Sequence, residues 1–259
     1  NKIIEKDGLT KVERLLEFIK KNSTKYNLPE LLKIVELSNS QRQDNAGYYT
    51  RQDVCFSIVK DLPEAGNFKI LKILEPSVGS GNFLPLLIKK YRDVPEVIID
   101  VVDIDENSIK ILKEIIKIIS IPKNININFY YDDFLLKKIS KKYDIVIGNP
   151  PFGKITKSKE LLNKYKENKY NNKTNNIFSF FVEKALELGD NVALVGPKSL
   201  LSAPDFNKTR ELLNKYNFRL IVDYGEKAFS GVKIETIGFL LSKSKKNDNL
   251  VKVESYINN

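Results

Sequence analysis

The sequence predicts an α/β fold: a doubly wound, mostly parallel sheet of seven strands with a short helical segment in front of it. Two observations carry this expectation. From about residue 41 onward, short runs rich in Val and Ile alternate with amphipathic stretches of roughly twelve residues, the pattern of parallel strands joined by crossover helices. Gly, Asp, Asn and Pro cluster just after several of those runs, where an open α/β sheet places its ligands. The chain has 259 residues, 42% hydrophobic and 29% charged, a balance that supports a sizeable globular core.

In order along the chain, residues 10–21 place Val12, Leu15, Leu16 and Ile19 at helical spacing behind a capping Thr10. Residues 28–39 form a second helix with Pro29 in its first turn. Together they make an N-terminal helical segment over 1–40. Strands are expected at Ile70–Leu74, Val97–Val102, Ile125–Tyr130, Asp144–Ile147, Val192–Val195, Leu220–Asp223 and Thr236–Leu241. Helices are expected from near Phe83, over 106–119 and over 176–188. The domain so defined covers 41–245, and residues 246–259 start a linker or add a strand. Residues 153–176 break the rhythm. They are polar and Lys-rich, with Tyr165 and Tyr170 interleaved, and a long loop of this kind is either functional or a solvated excursion.

A single Cys, Cys55, and no His exclude a disulfide framework, a Cys/His zinc site and any His-based triad. No metal is expected. No apolar run approaches the ~20 residues of a membrane span, and the first residues lack a signal-peptide core. No membrane partner and a cytoplasmic location are therefore expected. The net charge of +10 suits a polyanion, although the Lys, Asn and Ile content is also what an AT-rich genome encodes. A chain without Met reads as a fragment or a processed chain.

The first strand runs through Glu75-Pro76 into Gly79-Ser80-Gly81 and then a helix. Glycines at such a turn let a ligand approach the backbone and the helix amides. A dinucleotide fingerprint wants a third Gly where Leu84 stands, so a pyrophosphate site is disfavoured. Glu75 suits a ligand bearing a positive amine. The second strand ends at Asp103, placed to accept both hydroxyls of a ribose, while Asp105 caps the following helix. The third ends Asp132-Asp133-Phe134; Asp133 suits an exocyclic amine and Phe134 a purine face, with helix capping as the competing role for the two Asp residues. Glycine turn, Asp, then Asp-Phe at three successive strand ends describe an adenosine-shaped pocket.

The fourth strand leads directly into Asn149-Pro150-Pro151-Phe152. Two prolines stiffen the turn and contribute no N–H. The Asn149 side-chain oxygen and the Pro150 carbonyl then present two acceptors, which can hold both hydrogens of one planar NH2 group. Phe152 offers a face for the base carrying that amine.

The segments EPSVGSGNF, VVDID, YDDF and GNPPF resemble the ordered motifs of S-adenosylmethionine-dependent amino-methyltransferases of nucleic acid, which share a Rossmann-like class I fold. Upstream, AGYYTRQDVCFSIV (46–59) is similar to the Tyr-Thr motif of γ-type N6-adenine DNA methyltransferases. Downstream, FFVEKALELGDNVALVGPKSLL, DYGEKAF and VKIETIGFLLSK resemble later segments of that family, and the likeness runs from about 46 to 243. The resemblance implies S-adenosylmethionine as cofactor. It implies that Tyr49 and Thr50 meet its methionine part, and that Glu75, Pro76, Gly79 and Gly81 shape its pocket. Asp103 would take the ribose, and Asp133 with Phe134 the adenine. Asn149, Pro150, Pro151 and Phe152 would hold the target amine and base, with Phe229 as a second aromatic around a flipped base. Arg51 departs from the Pro that often follows the Tyr-Thr pair.

The activity implied is methyl transfer to adenine N6 in double-stranded DNA within a restriction–modification or defence system, a displacement that needs no His because positioning supplies most of the acceleration. Guanine-N2 RNA methyltransferases and release-factor glutamine methyltransferases share the Asn-Pro-Pro-aromatic turn and remain open, as does a non-catalytic cofactor-binding subunit. No helix-turn-helix or zinc finger is legible after residue 243, so a target-recognition domain is expected to have been cut away or to reside on a specificity subunit. Lys164, Lys166 and Lys169 are the expected contacts to the DNA backbone.

Overall fold

In this computed structural model the described residues are 2–38, 50–156, 158–167, 169–229, 233–243 and 250–257. The first half of the sheet is parallel: β1 (Ile70–Pro76), β2 (Glu96–Asp103), β3 (Ile125–Tyr131), β4 (Tyr143–Gly148) and β5 (Gly189–Pro197). β7 (Thr236–Ser242) then inserts antiparallel between β5 and β6 (Asn217–Gly225). A short β8 (Lys252–Ser255) pairs parallel to β6 at the edge. The order is β3-β2-β1-β4-β5-β7-β6-β8. The sheet therefore has eight strands where seven were expected, and residues 252–255 are strand rather than linker. Lys60 holds Glu254 at 2.8 Å and Lys252 holds Asp61 at 2.8 Å, so ion pairs tie the added strand to the segment just after the helix Gln52–Val59.

Strands β1, β2, β4 and β5 are apolar nearly end to end because helices cover both faces. α4 (Gln52–Val59), α5 (Leu84–Lys90) and α6 (Glu106–Ile116) precede α8 (Ile177–Leu188) and α9 (Asn207–Leu213). From β1 the chain winds outward to β2 and β3, then returns to β4 on the other side. The reversal opens a crevice at the carboxyl ends of β1 and β4, the place where doubly wound sheets bind ligands.

α6 is apolar on two faces. Ile109 and Leu112 enter the main core, whereas Ile111 and Ile115 join a second core with Ile4, Leu15, Ile19, Leu31, Leu32 and Val35. The N-terminal helices α1 (Lys2–Asp7), α2 (Val12–Asn22) and α3 (Leu28–Ser38) thus dock on α6 and add a layer outside the sheet. Thr10 does not cap α2; its N-cap is Lys11, which makes no side-chain cap bond. α3 opens on a reciprocal box, in which Glu30 N–H donates to Asn27 Oδ1 (3.0 Å) and Asn27 N–H to Glu30 Oε2 (2.9 Å). Among the described residues no helix is long and apolar enough to cross a membrane, and no three His, Cys, Asp or Glu side chains group as a metal site requires.

The excursion 153–176 is not a featureless loop. α7 (Lys159–Lys166) forms within it, capped by Ser158, whose hydroxyl accepts from Leu161 N–H at 3.2 Å. Its two ends close on each other, with Ile155 N–H on Asn175 O (2.8 Å) and Ile177 N–H on Gly153 O (3.0 Å).

Candidate active site

At the end of β1 the backbone turns sharply: Ser77, Gly79 and Gly81 have φ of 56°, 54° and 80°, in the left-handed region that costs a side chain free energy and a glycine little. At Gly81 a Cβ would also lie 2.5 Å from Leu112 Cδ1, so α6 packs directly on the turn. The single Ser77 hydroxyl hydrogen is shared between Pro76 O (2.5 Å) and Asn149 O (3.3 Å). That second bond ties the β1 turn to the β4 turn. Gly148 completes the junction, since a Cβ there would sit 3.0 Å from Pro76 O.

Two carboxyls lie under this turn. Glu75 is 2% exposed and its Oε2 has no hydrogen-bond partner. Burial, then the neighbouring Asp103, pushes its carboxyl well above the usual range. An orphaned buried carboxyl fits a cationic ligand group, which would supply both charge and donors. Ser80 Oγ is likewise buried without a partner. Asp103 is buried; its Oδ2 accepts Gly79 N–H at 2.8 Å and its Oδ1 Asp105 N–H at 2.9 Å. Burial pushes it up to about 6, in opposition to those two donors. Asp105 caps α6 as expected, accepting from Asn107 N–H at 3.0 Å.

The third strand end joins this edge through Asp132 N–H, which donates to Asp103 O at 2.9 Å. Asp133 takes the capping role with one oxygen and meets a tyrosine with the other. Its Oδ1 accepts Leu135 N–H (2.8 Å) and so caps the turn, while its Oδ2 accepts the Tyr165 hydroxyl at 2.6 Å. Phe134 is buried against α8, its ring 5.2 Å from Phe181 with Lys184 Nζ 5.0 Å over it. Little of that ring is left bare for a purine. The apolar surface exposed here is Ile104, 64% accessible beside Asp103. Sequence reasoning passed over Ile104, although an Ile isolated between two Asp residues at a strand end is a visible signal. Lys184, a buried cation that burial lowers to about 8, anchors the 134–137 turn by donating to the carbonyls of Phe134, Leu135 and Lys137.

On the far side of the crevice, Asn149 and Pro151 are half-buried and Pro150 and Phe152 buried. The Phe152 ring packs on Phe178 (5.7 Å, nearly perpendicular) and on Phe229 (5.8 Å). Phe229 pairs in turn with Thr50 through an antiparallel bridge, and Asn82 Nδ2 donates to Thr50 O at 2.9 Å. Thr50, Phe229 and Phe152 therefore form one cluster, contiguous with the glycine turn. Arg51 has φ −62°, which Pro would match, but its N–H donates to Ala228 O at 3.3 Å, a bond Pro would forfeit. Tyr49 lies outside the described residues. Of the three lysines, Lys164 pairs with Glu160 (2.8 Å) and Lys169 with Glu187 (2.9 Å), so these two are partly neutralised.

The glycine turn, the acidic edge and the Asn-Pro-Pro-Phe turn around one crevice agree with the comparison to known families, in which the family model for Eco57I restriction-modification methylases matches residues 86–229. This chain belongs to the Eco57I restriction-modification methylase family. Other members of the wider group are similar along much of the chain. The type II methyltransferase M.VspI of Vibrio sp. (strain 343) is 26% identical over 82% of this chain and 51% of its own length. M.HincII of Haemophilus influenzae is 31% identical over 70% of this chain and 34% of its own. The chain thus spans about half the length of one of these relatives and a third of the other. Among solved structures, a Listeria monocytogenes protein described as a class I S-adenosylmethionine-dependent methyltransferase superposes with a TM-score of 0.70, at 16% identity over 90% of this chain and 74% of its own. The type I restriction-modification methyltransferase subunit of Streptococcus thermophilus gives 0.63, at 15% identity over 92% and 66%. The Eco57I-family chain has the class I methyltransferase fold, with β8 as an eighth strand.

Proposed function

We propose that this chain is the catalytic part of a site-specific DNA methyltransferase of a restriction–modification or defence system, acting on the N6 amine of adenine. The observation that carries the reading is the Asn149-Pro150-Pro151-Phe152 turn, tied through Ser77 to a turn that overlies two buried carboxyls. When bound, S-adenosylmethionine supplies an electrophilic methyl group. Glu75 would hold its amino group, Asp103 its ribose and Asp133 its adenine, with Ile104 against the base. The Asn149 side-chain oxygen and the Pro150 carbonyl would hold the target amine, and Phe152 and Phe229 the flipped base. Their rings lie 5.8 Å apart, less than the ~7 Å a base stacked between two rings requires, so the base enters beside Phe229 or displaces it. The family assignment and the names of the relatives support a DNA substrate, and Asn at 149 favours adenine over cytosine. A cytoplasmic setting goes with this reading. Recognition of the target sequence would come from a further segment or a specificity subunit.

The test is transfer of labelled methyl from S-adenosylmethionine to DNA, RNA and protein in parallel, with the modified nucleosides identified. N6-methyladenine in DNA is expected. N4-methylcytosine, or label in RNA or protein, would overturn the substrate; retained nucleoside binding with no transfer to any acceptor, even with the recognition segment or subunit supplied, would leave a scaffold subunit.

Asp103 makes the cofactor reading pH-dependent. Its folded value of about 6 stands above the ordinary 3.8, so the folded state binds the proton more tightly and ionisation lowers stability as pH rises between those values. Ribose hydroxyls need the ionised carboxylate as acceptor. The Asp103 contribution should make affinity for S-adenosylhomocysteine about tenfold weaker at pH 5 than at pH 7, as read by calorimetry against Asp103→Asn. A flat profile over that range would remove Asp103 from the ribose.

A further inference from the structure

α7 leaves the catalytic turn and returns a single buried hydroxyl to the cofactor edge. Tyr165 is 5% exposed, its ring rests on Phe180 at 6.1 Å, and its hydroxyl donates to Asp133 Oδ2 at 2.6 Å. The other Asp133 oxygen is held by the N–H of Leu135 at 2.8 Å, and the turn behind it by Lys184. Both oxygens of this carboxylate are thus fixed in direction by groups outside the crevice. A carboxylate oxygen has two lone-pair sites. One on Oδ2 serves Tyr165, leaving the second for an amine.

Resting on the nucleoside reading of the pocket, we propose that Tyr165 is a positioning residue that aims Asp133 at the exocyclic amine of the cofactor's purine, and so sets the preference for an amino-purine. The hydroxyl also links the Lys-bearing segment after the catalytic turn to the cofactor pocket.

The test compares two probes on the same protein: S-adenosylhomocysteine, and its 6-deamino analogue with hydrogen in place of the purine amine. Tyr165→Phe keeps the ring on Phe180 and removes only the donor. The variant should bind S-adenosylhomocysteine about tenfold more weakly while its affinity for the deamino analogue is unchanged. Tyr165→Gln, whose amide still donates, should recover part of the preference, and it serves as the second variant if Tyr165→Phe does not fold. Equal weakening of both probes, no change in either, or tighter binding of S-adenosylhomocysteine would each overturn the assignment. If the unaltered chain bound neither probe, the nucleoside reading itself would fall.

Discussion

Asn149→Ala should abolish methyl transfer, a loss of about a thousandfold or more, with S-adenosylhomocysteine affinity within about twofold of the parent. On the proposed reading the Asn149 side-chain oxygen accepts from the target amine, which helps withdraw the nitrogen lone pair from the ring. The turn has supports besides that side chain. Its position is set by Ser77 on the Asn149 backbone carbonyl, by the close approach of Gly148 to Pro76 O, and by the Phe152 ring on Phe178 and Phe229. Two prolines restrict the backbone on the other side. Ala should therefore leave the turn in place and remove the acceptor, so the loss falls on the chemical step. Single-turnover transfer with saturating cofactor measures this directly. Residual turnover within tenfold of the parent would mean that the amine is held elsewhere.

What the sequence made legible, and what it hid, follows the range of the interactions involved. Most of the seven strands were legible because strands covered on both faces are continuous apolar runs, and such runs are local signals. β8 was ambiguous for the opposite reason: Leu250 and Val253 are exposed, and its place is set by Lys60–Glu254 and Lys252–Asp61 pairs across nearly two hundred residues. The two-sided character of α6 was hidden because Ile111 and Ile115 look like ordinary helix positions until α2 and α3 cover them. At the site, acidic residues at strand ends were legible, as was the Asn-Pro-Pro-Phe turn. The partners that engage those carboxyls were not: Gly79 N–H on Asp103 and Tyr165 on Asp133 are contacts of fold geometry. The excursion 153–176 was misread most. Its buried anchors, Asn171 and Asn176, are polar residues indistinguishable by type from the exposed Asn around them.

Those polar anchors predict the second large effect. Glu183, buried on α8, accepts three N–H donors from the returning excursion: Tyr170 N–H (2.7 Å), Asn171 N–H (2.9 Å) and Asn171 Nδ2 (2.8 Å). Asn171 Oδ1 in turn accepts the Thr209 hydroxyl at 2.8 Å, which lies 2.8 Å from Ser179 Oγ as well. Helices α8 and α9 thus hold one end of the excursion through a fully buried polar network, which is strong only while every member is satisfied. Glu183→Gln leaves an oxygen for Asn171 but turns an NH2 group toward the Tyr170 amide, donor against donor. The expected cost is about 3 kcal/mol, read as a lower urea midpoint with an unchanged slope. Exchange at the Tyr170 and Asn171 amides should accelerate along with it. If stability rose instead, desolvation of the carboxylate would outweigh its three bonds. DNA affinity should fall with the loss of α7's fixed position, and S-adenosylhomocysteine affinity should fall with it as Tyr165 leaves Asp133.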